Sequence, residues 1–138
     1  RIHDKIQIFY QKSPVYHPQK TKGKPYRRSV CPALREMYRE LEERERVNAT
    51  GERYPTTVIH FPMERGEHPT QKPVSLLAWL IRTYTNEGDT VLDSFMGSGS
   101  TGVACVQEGR RFIGMEKEEK YFEVARKRIE EASGGMFA

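Results

Sequence analysis

The stretch from Asp89 to Glu116 constrains this chain more than any other: Asp-Thr-Val-Leu-Asp-Ser-Phe-Met-Gly-Ser-Gly-Ser-Thr-Gly-Val-Ala-Cys-Val-Gln-Glu-Gly-Arg-Arg-Phe-Ile-Gly-Met-Glu. Thr90-Val91-Leu92 is a short β-prone run that stops at a carboxylate, Asp93. The turn Gly97-Ser98-Gly99-Ser100-Thr101-Gly102 follows, and then a small-residue helix, Val103-Ala104-Cys105-Val106, closed by Gly109. A second β-prone run, Arg111 to Met115, ends in Glu116. Strand, glycine turn, helix, strand and acid in this order predict an α/β fold built on the nucleotide-binding βαβ half-unit.

The chemistry of the turn narrows the ligand. Gly97 and Gly99 permit positive φ and carry no Cβ, so backbone N–H groups can come close to a bound group. The helix start behind them adds partial positive charge and unpaired donors. Glu116 follows Asp93 by 23 residues, near the separation of about 20 at which an acid holds ribose hydroxyls. Read literally, Gly97 to Gly102 fits G-x-G-x-x-G, the dinucleotide fingerprint. Yet Asp93-Ser94-Phe95-Met96 intervenes between strand and glycines, and a carboxylate there would repel a pyrophosphate while suiting an ammonium. A ligand with an ammonium, a carboxylate, a ribose and an adenine is S-adenosylmethionine. Asp93 would take its ammonium, the turn amides its carboxylate and Glu116 its ribose. A dinucleotide site is the less favoured alternative, and a tight turn without ligand the least favoured.

Charge separates the chain into two regions. Residues 1–53 hold 13 Lys or Arg against 7 Asp or Glu, whereas residues 54–138 hold 10 against 12. A basic first part suggests a polyanionic partner, although a solvated basic surface has the same composition. Cys31 and Cys105 form no C-x-x-C and have no neighbouring His cluster, so a reducing compartment and no metal site are expected. With no membrane-length apolar run and no signal-peptide pattern, the expected location is the cytoplasm.

Along the chain, the alternation of Ile6, Ile8 and Tyr10 predicts a strand over residues 2–10. Residues 15–29 show no periodicity. Lys20, Lys22, Lys24, Arg27 and Arg28 are interleaved there with Tyr16, His17 and Tyr26, a pattern suited either to phosphates and stacked bases or to an irregular surface loop. Residues 32–47 predict a helix with Leu34, Met37, Tyr38 and Leu41 on one stripe and charges beyond. Asn48 to Arg53 reads as a linker. Thr56 to Phe61 is a short β-prone run stopped by Pro62. The polar segment His68-Pro69-Thr70-Gln71-Lys72-Pro73 precedes a helix whose stripe is Leu76, Leu77, Leu80, Ile81 and Tyr84. The last predicted helix spans 118–132, with Tyr121, Phe122, Val124, Ala125 and Ile129 on its apolar side; Arg126, Lys127 and Arg128 suit its C-terminal dipole. The organisation expected is a strand over 1–13, a basic loop and charged helix over 14–53 and a ligand-binding part over 54–138.

The combination of His68-Pro-Thr-Gln-Lys-Pro, Asp93-Ser-Phe-Met-Gly-Ser-Gly-Ser-Thr-Gly, Phe112-Ile-Gly-Met-Glu116 and a Tyr121-containing helix resembles the amino-group DNA methyltransferases, N6-adenine or N4-cytosine, of the β arrangement. The resemblance is strong from about Tyr54 to Ile129. It implies a Rossmann-like methyltransferase sheet, partial here, with an irregular basic and helical insertion. It implies that S-adenosylmethionine is held by Asp93, Phe95, Gly97, Ser98, Gly99, Ser100, Thr101 and Glu116, with His68, Thr70, Lys72 and Pro73 at its methionine end. Double-stranded DNA is the implied partner, contacted by Lys20, Lys22, Lys24, Arg27 and Arg28. Adenine is preferred to cytosine as target. The family's Asp-Pro-Pro-Tyr catalytic motif has no counterpart, because no two of the 8 prolines are adjacent. No residue is therefore assigned a catalytic role. The expectation is a C-terminal part whose missing catalytic half precedes it, or a homodimer; the competing expectation is a non-catalytic module that binds DNA and cofactor.

Overall fold

A computed structural model of the chain describes residues 5–28, 46–64, 66 and 68–134. The chain divides into two compact units, Pro18–Ile59 and the combination of Arg1–His17 with His60–Ala138.

In the first unit, β1 (Thr21–Lys22) pairs antiparallel with β4 (Glu52–Arg53), and β2 (Tyr26–Arg28) pairs antiparallel with β3 (Arg46–Asn48). Where the sequence predicts an irregular loop and a linker, two short ladders form. The linker over Asn48 to Arg53 is a turn built by Asn48, whose side chain accepts the Gly51 N–H at 2.7 Å and donates to the Glu52 carbonyl at 2.6 Å. Asn side chains mimic backbone in such turns. Gly51 has φ 72°, and a Cβ there would lie 2.1 Å from the Gly23 carbonyl oxygen, so the turn requires glycine. Of the helix expected over residues 32–47, all but Arg46 and Val47 lies outside the described residues, as does Cys31; those two belong to β3.

The second unit carries α1 (Val74–Tyr84), β5 (Thr90–Asp93), α2 (Ser100–Gln107), β6 (Arg111–Gly114) and α3 (Glu119–Ala132). β5 and β6 pair in parallel, Val91 opposite Phe112 and Asp93 opposite Gly114, with α2 as the crossover. This is the predicted α/β half-unit and a partial Rossmann-like sheet. The core is small: Ala78 and Ile81 of α1 meet Ala104 and Cys105 of α2, with Val74, Leu77, Val91 and Phe112 packed around them. Alanines at the crossing let the two helices approach, and burial pushes the Cys105 thiol up to about 11. The other face of the sheet is left uncovered by the described residues, with Leu92 59% and Ile113 52% exposed. Parallel sheets are ordinarily covered on both faces.

Two expected strands do not form among the described residues; residues 2–4 of the first lie outside them. Residues 5–10 are exposed and unpaired with any strand among the described residues, Phe9 being 86% accessible. Alternation alone does not hold a strand without a neighbouring ladder. The chain is instead pinned just afterwards, where the His17 N–H donates to the Thr83 carbonyl at 2.8 Å and the Tyr16 ring lies 6.0 Å from that of Tyr84. Over Thr56 to Phe61 the Thr56 hydroxyl donates to the Val58 carbonyl at 2.7 Å, closing a local bend where a ladder was expected.

Candidate cofactor-binding site

The site lies at the C-terminal ends of β5 and β6, where open α/β sheets hold their ligands. Asp93 ends β5 half-buried, and its carboxylate accepts the Thr101 hydroxyl at 2.6 Å and the Phe95 N–H at 3.0 Å. The acid thus braces both the start of the turn and the first turn of α2. Each carboxylate oxygen keeps further acceptor capacity for a ligand donor.

The glycine turn itself is closed by the Gly99 N–H donating to the Met96 carbonyl at 2.8 Å, with φ 53° at Gly97 and 75° at Gly99. Glu116, just beyond β6, accepts the Gly97 N–H at 2.9 Å with one oxygen and the Glu118 N–H at 3.0 Å with the other. The Gly97 and Gly99 amides are therefore satisfied within the protein. The N–H groups of Ser100, Thr101 and Gly102 open α2, and a helix provides no i−4 partner for donors in its first turn. They are the better candidates for an anionic group.

The backbone bond from Glu118, followed by that from Gly97, holds the Glu116 carboxyl below its ordinary value of 4.5 against the opposing effect of desolvation. A depressed folded value makes the contribution to stability complete above the ordinary glutamate value and lost as pH falls through the folded one. Glu116→Gln is accordingly expected to flatten the acid limb of the stability curve below the carboxyl's ordinary value of 4.5, read by urea unfolding between pH 3 and 7. An unchanged acid limb would show that these bonds do not stabilise the folded turn.

His68 packs beside the turn. Its ring lies 4.4 Å from the Tyr121 ring, edge to face, and a Cβ at Gly97 would sit 3.6 Å from His68 Cδ2. Nδ1 accepts the Thr70 N–H at 3.2 Å, with the Thr70 hydroxyl at 3.1 Å, which leaves the proton of a neutral ring on Nε2. Thr70 therefore orients His68, while Lys72 is exposed. Pro73 heads α1, where the Glu64 carboxylate accepts the Val74 N–H at 3.1 Å. Ser98 and Ser100 are buried, and the Ser98 hydroxyl donates to Gln71 Oε1 at 2.8 Å. Phe95 is 90% exposed and helps to line a cavity of about 280 Å³ with Ser94, Met115, Glu116 and Lys117.

The structure thus gathers Asp93, Phe95, Gly97 to Thr101, Glu116 and His68 around one turn. Sequence reasoning missed Gln71 and Arg128. The signal for Arg128 was present: it stands three residues after Ala125 and one before Ile129, on the apolar stripe of α3, where an unpartnered charge does not belong.

In the Pro18–Ile59 unit the basic residues differ in kind. Lys20 is paired with Glu52 at 3.1 Å and lies 5.1 Å from the Tyr54 ring centre; the hydrogen bond to Glu52 raises its pKa. Lys22, Lys24, Arg27 and Arg28 are exposed, without an ion pair among the described residues. Arg53, absent from the expected set, lies over the Tyr26 ring at 5.8 Å and donates to the Lys24 carbonyl at 3.4 Å.

The chain is similar in sequence to known proteins. The profile of the N6_N4_Mtase family, DNA methylase, matches residues 2–127. The chain is 55% identical over 65 residues to the Type II methyltransferase M2.DpnII of Streptococcus pneumoniae, covering 47% of this chain and 24% of that protein. It is 48% identical over 64 residues to M2.LlaDCHI of Lactococcus lactis subsp. cremoris, covering 46% and 24%. Among solved structures, the M1.HpyAVI–SAM complex matches with a TM-score of 0.47 and 49% identity over 50% of this chain and 34% of that one. The chain spans about a quarter of the length of these two curated relatives. Since the family profile runs over nearly all of the sequence, this chain belongs to the N6_N4_Mtase family of DNA methylases.

Proposed function

We propose that this chain is the S-adenosylmethionine-binding part of a cytoplasmic DNA methyltransferase that acts on an exocyclic amine, adenine N6 before cytosine N4. The observation that carries the reading is the convergence of Asp93, the start of α2, Glu116 and His68 at the ends of two parallel strands. The donor set suits the cofactor. Asp93 offers a carboxylate to an ammonium, the first-turn N–H groups of α2 offer donors to a carboxylate, and Glu116 offers acceptors to ribose hydroxyls. Phe95 and Met115 give the neighbouring cavity an apolar wall for the adenine. His68, Thr70, Lys72 and Pro73 would line the methionine end.

When bound, the cofactor supplies an electrophilic methyl group on a sulfonium. This chain's residues would hold and orient it, which is where such catalysis is concentrated. The catalytic Asp-Pro-Pro-Tyr-type motif would come from outside this chain, from a catalytic half whose strands and helices complete the uncovered face at Leu92 and Ile113; a homodimer is the alternative. Lys22, Lys24, Arg27 and Arg28 are the cations we assign to DNA phosphates, with Lys20 weakened in that role by Glu52. Its relatives' Type II designation fits a modification enzyme.

Calorimetric titration with S-adenosylmethionine, with NAD in parallel, tests the cofactor assignment. Binding of the first and not the second is the expected result. Binding of NAD alone, or of neither ligand by a chain with a folded circular-dichroism spectrum, would count against it. Joined to the catalytic half, the protein is expected to yield N6-methyladenine in digested DNA, read by nucleoside mass spectrometry; N4-methylcytosine would reverse the target preference.

A further inference from the structure

Arg128 behaves unlike its neighbours on α3. Arg126 pairs with Glu123 at 2.7 Å and Glu130 at 3.0 Å, and Lys127 reaches Glu131 at 4.0 Å. These are ordinary exposed helix pairs. Arg128 pairs with no carboxylate among the described residues. Its Nη1 donates instead to the Ser98 carbonyl at 2.5 Å and lies 3.3 Å from Gln71 Oε1 and 3.4 Å from Ser100 Oγ. The Ser98 hydroxyl donates to that same Gln71 oxygen at 2.8 Å. Three segments far apart in sequence therefore meet at one buried serine.

The turn needs such a restraint. Gly97 and Gly99 both hold positive φ, and glycine has little intrinsic preference to stay there. The Ser98–Gly99 peptide is fixed at both ends, its carbonyl by Arg128 and its N–H by the Met96 carbonyl. A charge-assisted hydrogen bond is stronger than a neutral one, so Arg128 is the stiffest of these restraints. Its charge, which no carboxylate among the described residues neutralises, also adds to the positive end of α2.

We propose that Arg128 and Gln71 are positioning residues that latch the glycine turn, through Ser98, to the last helix and to the His68–Pro73 segment. What the latched turn holds rests on the cofactor reading above; the latch itself does not. Its function is preorganisation: a ligand touching both the turn and the His68 segment meets them already in register, with less ordering left to do on binding.

Hydrogen exchange of the intact chain and of Arg128→Met, Arg128→Lys and Gln71→Leu tests the latch, with S-adenosylmethionine titrations alongside. Arg128→Met is expected to speed exchange of the Gly97–Thr101 amides about tenfold relative to those of α1, and to weaken the cofactor about tenfold, as loss of a hydrogen bond to a charged group does. Arg128→Lys, which keeps one cationic donor, should recover part of both. Gln71→Leu should act in the same direction and add less than its full effect on top of Arg128→Met. A uniform rise across α1 and the turn alike would reduce Arg128 to general stability and overturn the proposal, as would unchanged turn exchange. If the unaltered chain takes up no S-adenosylmethionine, the cofactor reading fails while the exchange data still decide the latch.

Discussion

Gly99→Ala is expected to cost about 3 kcal/mol of folding stability, the sum of about 1–2 for a left-handed alanine and about 1–3 for overpacking. The first part follows from φ 75° at Gly99. The second follows from Ala125: a Cβ at Gly99 would lie 2.8 Å from its Cβ and 2.9 Å from its Cα. The Cα belongs to the backbone of α3 and cannot rotate away, so the helix must move. Gly88 is the natural control, since its φ is 79° but nothing lies within 4 Å of a Cβ built there. Gly88→Ala should therefore show only the conformational share, about 1–2 kcal/mol. Urea unfolding of the two variants beside the parent chain measures the difference. Equal losses would mean that α3 does not press on the turn. The loss at Gly99 is a large fraction of the ~5–15 kcal/mol that holds a domain together, and it would be felt at the site too, because α3 carries Arg128 and Tyr121.

The second large effect is expected at Asp93. Asp93→Ala should weaken S-adenosylmethionine about 100-fold, the upper end for losing a charged hydrogen-bond partner. That variant also releases the Thr101 hydroxyl and the Phe95 N–H, so it mixes ligand contact with bracing of the turn. Asp93→Asn separates them, since an amide oxygen can still accept from one of these donors while the charge is gone. If Asp93 faces the ligand's ammonium, Asp93→Asn should still lose about tenfold or more for S-adenosylmethionine. It should leave the affinity of 5′-methylthioadenosine, which lacks the amino-acid end, within about twofold of the parent chain's. Calorimetry with the two ligands reads this directly. Parallel losses for both ligands would make Asp93 a brace for the turn and would move the ammonium elsewhere.

How much of this was legible beforehand depended on the range of the interactions involved. Thr90 to Glu116 could be read because each signal is local: a β-prone run, glycines where φ turns positive, a small-residue helix and an acid at each strand end. The His68–Pro73 segment was legible as a motif, but not the division of labour within it. Thr70 turns back to orient His68, and Gln71, passed over between them, is the residue that reaches Ser98. Strand-like alternation over residues 5–10 and the β-prone run at Thr56 to Phe61 misled, because a strand exists only with a neighbour to pair with. The basic segment misled in the other direction. Its prolines argued for an irregular loop, yet Asn48 and Gly51 fold the chain back so that Thr21–Lys22 and Tyr26–Arg28 find partners.

The sequence by itself determined the βαβ half-unit, its glycine turn and its two acids, since backbone preference and short-range spacing dictate them. Tertiary structure alone decided what the glycines are for and how the turn is held. Gly99 is demanded as much by Ala125 as by any ligand, and Arg128, which sequence reading gave to a helix dipole, closes on Ser98. Those facts depend on α3 lying across the turn, and such packing brings Arg128 to residues 30 and 57 positions away. No local pattern in the chain encodes that approach; only the folded arrangement, with its excluded volume and its need to satisfy a half-buried arginine, selects it.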